Sequence, residues 1–292
     1  GLKKSRKIGL LKAPAHLIKI LKLGYRDMVK RKKMRLKHGD VLDVEEYHDG
    51  NYGGKGKTRQ KKEKPTKEQV RLINRRNKAR LCRWRLIQYF DSGDLFITWT
   101  YEVGNRPPDM AGALKDFQAA MAKVRKIYRL RGAPFHWIRN IERGTKGAWH
   151  IHLVIKQTPE GDAAAIVTKA WIKGGTYVAE IRNSKFNGDD MEQLANYMTK
   201  DEHTAENKAD GTPGKPRIAE SSYNTSRNMP LPKPKEDKLV RWKPEVKPPK
   251  GYYIARMHEG INPVTGFLYR SYTLIRLKTQ ERKKPPNRVR RC

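Results

Sequence analysis

The spacing of hydrophobic positions changes several times along the chain, and each change marks an element. Behind a Thr66/Gln69 capping pair, Val70, Ile73, Leu81, Trp84 and Ile87 recur at helical spacing, which predicts a helix ending near Asp91-Ser92-Gly93. The β-branched and aromatic run Leu95-Phe96-Ile97-Thr98-Trp99-Thr100-Tyr101 predicts a strand. After Pro107-Pro108, Leu114, Phe117, Met121, Val124 and Tyr128 line one face of an expected helix, Ala111–Arg129. Phe135–Glu142 and Trp149–Lys156 read as strands joined by the turn-rich Arg143-Gly144-Thr145-Lys146-Gly147, hence as an antiparallel hairpin. Asp162–Lys173 predicts a helix, Thr176–Arg182 a strand, and Asp190–Asp201 a helix capped near Asp189. The order β-α-β-β-α-β-α is that of a split-βαβ, RRM-like α+β fold: a mainly antiparallel central sheet with flanking helices.

The flanks read differently. Residues 1–40 mix Leu and Ile with Lys and Arg, which suits a basic helix or two. Residues 49–64 are Gly- and Lys-rich, as in a flexible linker. The Pro/Lys stretch from Lys233 to Lys250 reads as a stiff linker, and Tyr252–Ala255 with Phe267–Leu277 as a last hairpin before a basic tail. The expected division is a basic extension and linker (1–65), a central domain (66–230) and a C-terminal linker, hairpin and tail (231–292).

Charge separates the same regions. The 292 residues carry 65 Lys and Arg against 30 Asp and Glu, a net +35. Residues 1–90 hold 28 basic and 8 acidic side chains, residues 91–202 hold 16 and 14, and residues 203–292 hold 21 and 8. Such an excess of cations calls for a polyanionic partner, most simply nucleic acid. Cationic flanks that grip phosphates around a centre that keeps its carboxylates for chemistry suit an enzyme better than a coat protein. No apolar run approaches the ~20 residues that span a bilayer, and Lys12, Pro14 and Lys19 interrupt the first stretch as a signal peptide. Two cysteines, Cys82 and Cys292, build neither a disulfide framework nor a four-thiolate zinc site, which implies a reducing, cytoplasmic setting. Gly50 to Thr58 imitates a phosphate-binding loop, but its glycines are one residue too far apart and no apolar strand precedes it, so no ATPase is implied.

His150-Ile151-His152 carries the chemistry. Residues i and i+2 of a strand share a face, so both imidazoles project together, and a tight hairpin brings Glu142 beside them. Two imidazoles and a carboxylate suit a divalent ion with open positions. On the following helix Met191, Leu194, Ala195 and Met198 form the expected buried face, while Tyr197 and Lys200 stand one turn apart, where a phenol and an ammonium meet one phosphate. Each piece alone also has a plain structural reading: two strand histidines, and a boundary tyrosine beside a solvated lysine.

As an ordered set, the strand LFITWTY, then Glu142 with HIH, then Tyr197-Met198-Thr199-Lys200 resembles the HUH endonucleases that initiate rolling-circle replication in phages and small plasmids. The resemblance spans about 66–230 and includes Tyr223-Asn224-Thr225-Ser226-Arg227-Asn228, with weaker similarity at 251–275. It implies an HUH domain that nicks and rejoins single-stranded origin DNA. His150, His152 and Glu142 would hold Mg²⁺ or Mn²⁺. Tyr197 would attack the phosphorus, leaving a 5′-phosphotyrosyl link and a free 3′-OH, with Lys200 balancing charge. Arg143, Lys146, Lys200 and Arg227 would contact DNA. Host helicase and polymerase are the implied partners, in the cytoplasm of a bacterial host. Some members carry two tyrosines separated by three residues; the corresponding positions here are Gln193 and Asp201, so this chain has a single nucleophile. Its second transfer then needs either a second protomer's tyrosine or water activated by Asp201, unless Asp201 only pairs with a lysine near the helix end. The alternatives are an HUH relaxase or mobilisation protein, a single-strand transposase, and a non-catalytic basic DNA-binding protein.

Overall fold

The structure, a computed structural model, describes residues 29–48, 64–144, 148–181, 191–200, 223–239, 241–261 and 268–277. Along them run β1 (Val29–Leu36), β2 (Val41–His48), α1 (Lys67–Tyr89), β3 (Leu95–Thr100), α2 (Met110–Leu130), β4 (Trp137–Arg143), β5 (Trp149–Ile155), α3 (Ala163–Ala170), β6 (Thr176–Glu180), α4 (Glu192–Met198), β7 (Tyr223–Thr225), β8 (Lys235–Leu239), β9 (Tyr252–Ile261) and β10 (Leu268–Arg276). The fold is mixed α+β with two five-stranded sheets. Among the described residues, 36–41 and those within 64–233 form one compact unit, and 29–35, 42–48 and those within 234–277 form the other.

In the first unit the strand order is β6-β3-β5-β4-β7, each neighbouring pair antiparallel. The segment through α2 joins β3 to β4 with β5 between them, and the segment through α3 joins β5 to β6 with β3 between them. Two side chains start the long helices, the first of them as expected. Thr66 and Gln69 form a reciprocal capping box on α1 (3.2 and 2.8 Å), and the Asp109 carboxylate accepts from Gly112 N at 2.8 Å on α2. Only the C-terminal half of α1 is buried, through Cys82, Trp84, Leu86 and Ile87; Val70, Ile73 and Leu81 of the expected stripe are exposed.

One face of this sheet is closed. Leu95, Ile97 and Trp99 of β3, Ile141 of β4 and Trp149, Ile151, Leu153 and Ile155 of β5 pack against Phe117, Met121, Val124 and Tyr128 of α2 and Ile166 and Val167 of α3. On the other face Phe96, Ile138 and Val154 meet Cys82, Leu86 and Phe90 at the end of α1 and Leu194, Ala195 and Met198 of α4. That cover reaches only part of the face, and the remaining rows are polar.

The second unit holds a sheet ordered β8-β1-β2-β10-β9. Its apolar centre gathers Val44, Tyr272 and Leu274 with Leu42, Val246, Tyr252 and Ile254. Arg270 is buried against Glu46, with Nε to Oε2 at 2.7 Å, and the Tyr272 hydroxyl donates to the same carboxylate at 3.0 Å. Trp242 covers the Arg270 guanidinium at 4.5 Å.

Several expectations are corrected here. Residues 29–36 are a strand rather than basic helix, because Val29, Met34 and Leu36 are buried in a sheet whose partner strand lies some 200 residues away in sequence, where local spacing gives no hint of it; residues 1–28 lie outside the described residues. The expected linker 233–250 contributes β8, whose Asp237 and Glu236 answer Arg31, Lys33 and Lys32 of β1. Charge complementarity across the pair, rather than an apolar period, makes this strand. Tyr223, outside every element that the local spacing predicts, lies on β7 opposite Asn140. The terminal hairpin is present and longer than expected, with Leu268↔Ile261 and Arg276↔Tyr252 at its ends. The Gly/Lys-rich segment 49–63 lies outside the described residues.

Candidate active site

Register places the site. Antiparallel pairing sets Thr98 opposite His152 and Thr100 opposite His150 on β3 and β5, and Asn140 opposite His152 and Glu142 opposite His150 on β4 and β5. Directly opposed residues share a face, so Thr98-His152-Asn140 and Thr100-His150-Glu142 form adjacent rows on the partly covered face. The hairpin turn that aligns them closes with Gly144 N donating to Ala148 O at 2.8 Å.

His152 is the hub. Its Nε2 lies 2.8 Å from Glu142 Oε1 and 3.0 Å from Tyr197 Oη, and its Nδ1 lies 3.0 Å from Thr98 Oγ1. A carboxylate only accepts, so a proton on Nε2 is donated to Glu142, and Nδ1 then accepts from the Thr98 hydroxyl. Phe96 stacks against the His152 ring at 5.9 Å, and the Tyr197 ring meets it edge-on at 5.0 Å. Burial, then the Glu142 charge, pushes the Tyr197 phenol up to about 12. The His150 ring lies parallel to that of His152 at 6.4 Å, and burial followed by the neighbouring imidazole lowers its pKa. The position of residue 144 matters to His150: a Cβ there would come within 3.1 Å of its Nε2.

Tyr197 reaches His152 because Leu194, Ala195 and Met198 anchor α4 on the sheet, and the Tyr197 ring packs against the same cluster, edge-on to Phe96 at 5.8 Å. The helix is shorter than expected. It starts after Met191, which adopts a left-handed φ of 54°, and Lys200 falls just beyond its end, with Lys200 N donating to Tyr197 O at 3.3 Å. The expected cap at Asp189 and the residue Asp201 lie outside the described residues, as does Lys146.

Asn140 was not singled out by the sequence. It is fully buried; its Nδ2 donates to the carbonyl of Lys200 at 3.3 Å, and its Oδ1 has no hydrogen-bond partner among the described residues. Asn140 thus ties the end of the Tyr197 helix to the strand beside His152. Its alternation with Ile138 and Glu142 on a strand was the only signal available.

The remaining candidates are not brought together with the histidines. Arg143 alternates onto the opposite face, its guanidinium 5.7 Å over the Trp149 ring. Arg227 follows β7, where Ser226 N donates to Trp137 O, at the far end of β4 and ~16 Å along the strand from Glu142. Among the described residues no three His, Cys, Asp or Glu side chains already converge on one ion-sized point: Glu142 and His152 meet, and His150 stands beside them.

No helix among the described residues is long and apolar enough to cross a membrane. Neither a curated protein nor a solved structure matches the chain. Residues 94–202, which contain β3 through α4 with both histidines, Glu142, Tyr197 and Lys200, match the model of a replication-associated protein family, the ORF2 type, a match consistent with the rolling-circle replication initiators that the sequence resembles.

Proposed function

We propose that this chain is a replication initiator that nicks and rejoins single-stranded origin DNA through Tyr197. The observation that carries the reading is the convergence at His152, where one imidazole meets a carboxylate at 2.8 Å and a phenol at 3.0 Å on one sheet face. The interleaved order of β3 to β6 supports the split-βαβ, RRM-like HUH architecture.

In the proposed step the bond between Tyr197 Oη and phosphorus forms while the bond from phosphorus to the 3′ oxygen breaks. The leaving oxygen takes up a proton, giving a 5′-phosphotyrosyl link and a free 3′-OH. A phenol held at about 12 is almost entirely protonated at neutral pH, so its proton has to leave as the new bond forms. Lys200 supplies positive charge beside the nucleophile.

The donor set fits a divalent ion. A carboxylate and two imidazoles share one face, and glycine at 144 keeps side-chain bulk away from His150 Nε2. Mg²⁺ or Mn²⁺ held by His150, His152 and Glu142 would polarise the scissile phosphate. Host helicase and polymerase would open and copy the duplex in a bacterial cytoplasm.

Incubation with a pool of labelled single-stranded oligonucleotides and Mn²⁺ tests the proposal. A covalent adduct that survives denaturation is expected from the full chain and is absent from Tyr197→Phe. An adduct that persists in Tyr197→Phe overturns the assignment of the nucleophile.

A further inference from the structure

The row that runs through His152 continues past Thr98. Register sets Tyr177 of β6 opposite Thr98, and Thr98 opposite His152, so the three side chains leave the sheet on one face. Two strand spacings put the Tyr177 Cα ~10 Å from that of His152, a distance that neighbouring nucleotides of an extended strand bridge. Tyr177 is 65% exposed although it is a large aromatic residue. In the adjacent row Gly175 lies beside Thr100: Thr100 N donates to Gly175 O at 2.9 Å and Thr100 Oγ1 to the same oxygen at 3.3 Å. His150 and Glu142 follow in that row. A Cβ at 175 would approach Thr100 Oγ1 to 3.1 Å, and one at 174 would approach Thr100 O to 2.3 Å, so glycine at 174 lets the chain run tightly against the end of β3. The result is bare backbone next to the His150 row, bordered by an exposed phenol ring. The charge of Arg106, exposed on the loop after β3, acts on His150 from the same end.

We propose that Tyr177, beside the bare strand at Gly175, is a stacking platform for a nucleobase of the single strand whose phosphate lies over His150 and Glu142. The inference rests on the reading of this face as a DNA-nicking site, and it adds a base contact to a site otherwise built for phosphate. Stacking on an aromatic ring tolerates every base, because each has a π face. Such a contact holds a strand without reading it, while the cationic chain supplies the charge that draws the strand in.

The test uses the full chain and two probes of equal length, an oligo-dT strand and a strand of abasic residues, titrated at several salt concentrations. Phosphate contacts count equally for both, so the difference between them isolates the bases. Tyr177→Ala is expected to weaken oligo-dT binding by roughly five-fold or more, with abasic binding and the salt slope unchanged; Tyr177→Phe retains the wild-type preference. Oligo-dT binding that is equal in Tyr177→Ala and wild type, or a wild-type chain indifferent to the missing bases, overturns the platform and leaves Tyr177 an ordinary edge-strand residue. Adduct formation with the mixed oligonucleotide pool and Mn²⁺ is measured in parallel. A wild-type chain that forms no adduct removes the nicking reading, whereas an adduct with base-independent binding removes only the platform.

Discussion

The two faces of the central sheet are made from the same three strands and differ in nearly every physical respect. Under α2 and α3, alternate residues of β3 and β5 are apolar from end to end, and the layer is buried, with Trp99 stacked on Trp171 at 4.9 Å. A buried cation in this layer, Arg139, lies over the Phe117 ring at 5.1 Å, and burial lowers its pKa to about 10. On the opposite face the apolar rows stop after Phe96, Val154 and Ile138, and the next two rows are Thr98-His152-Asn140 and Thr100-His150-Glu142. The first face supplies stability, and it frees the second to hold polar groups whose arrangement serves chemistry. A strand's period of two makes the division possible: one residue's shift in register would exchange the faces.

That division breaks down or sharpens under substitution. The largest effect is expected on the open face. Tyr197→Phe should lower adduct formation by about 10⁵–10⁶-fold, as loss of an enzymic nucleophile does, with a thermal midpoint close to wild type because only the Tyr197 hydroxyl is lost. Quantifying adducts on denaturing gels beside a melting curve checks both halves, and a large drop in midpoint would mean that the open face also carries the fold.

Phe117→Ala is the converse. It removes a buried ring that packs against Trp99 and Trp137 and should cost about 3–5 kcal/mol of unfolding free energy, read by urea titration. Adduct yield per folded molecule is expected to stay near wild type below the transition.

Asn140→Leu tests the seam between chemistry and packing. The side chain is fully buried and holds the Lys200 carbonyl, so its loss should shift the Tyr197 helix end and slow adduct formation by roughly 10²-fold. Stability should change by less than about 2 kcal/mol, since an unpartnered Oδ1 leaves with the lost hydrogen bond. A single-turnover time course with Mn²⁺ separates the slow step from weaker DNA binding.

The smallest effect belongs to a residue on neither face. Asp91 receives hydrogen bonds from Lys156 and Lys37 at 2.7 and 2.6 Å, and these hold its pKa down at about 2. A depressed carboxylate stabilises the fold above its unfolded value and loses that contribution as pH falls from about 4 to about 2. Because the carboxylate is largely exposed, Asp91→Asn should cost no more than about 1 kcal/mol at pH 7 and nothing near pH 2, which urea titrations at the two pH values would show.

The sequence determined a good deal alone. The capping box at Thr66, the strand 95–100, the apolar stripe of α2 and the β4–β5 hairpin follow from local spacing, and each lies where local spacing put it. His150 and His152 share a face because strand geometry leaves no other choice, and the hairpin makes Glu142 their neighbour. Tertiary structure decided the rest, since it depends on partners distant in sequence. Val29–Leu36 is a strand because β8, about 200 residues later, supplies its pairing and its counter-charges. Glu142 is the register partner of His150, yet its carboxylate meets His152. Asn140 and Tyr177 gain meaning only from the strands beside them, which set one under the end of the Tyr197 helix and the other at the margin of the histidine rows. Local pattern decides which element a residue joins, and the pairing of remote strands decides what that residue meets.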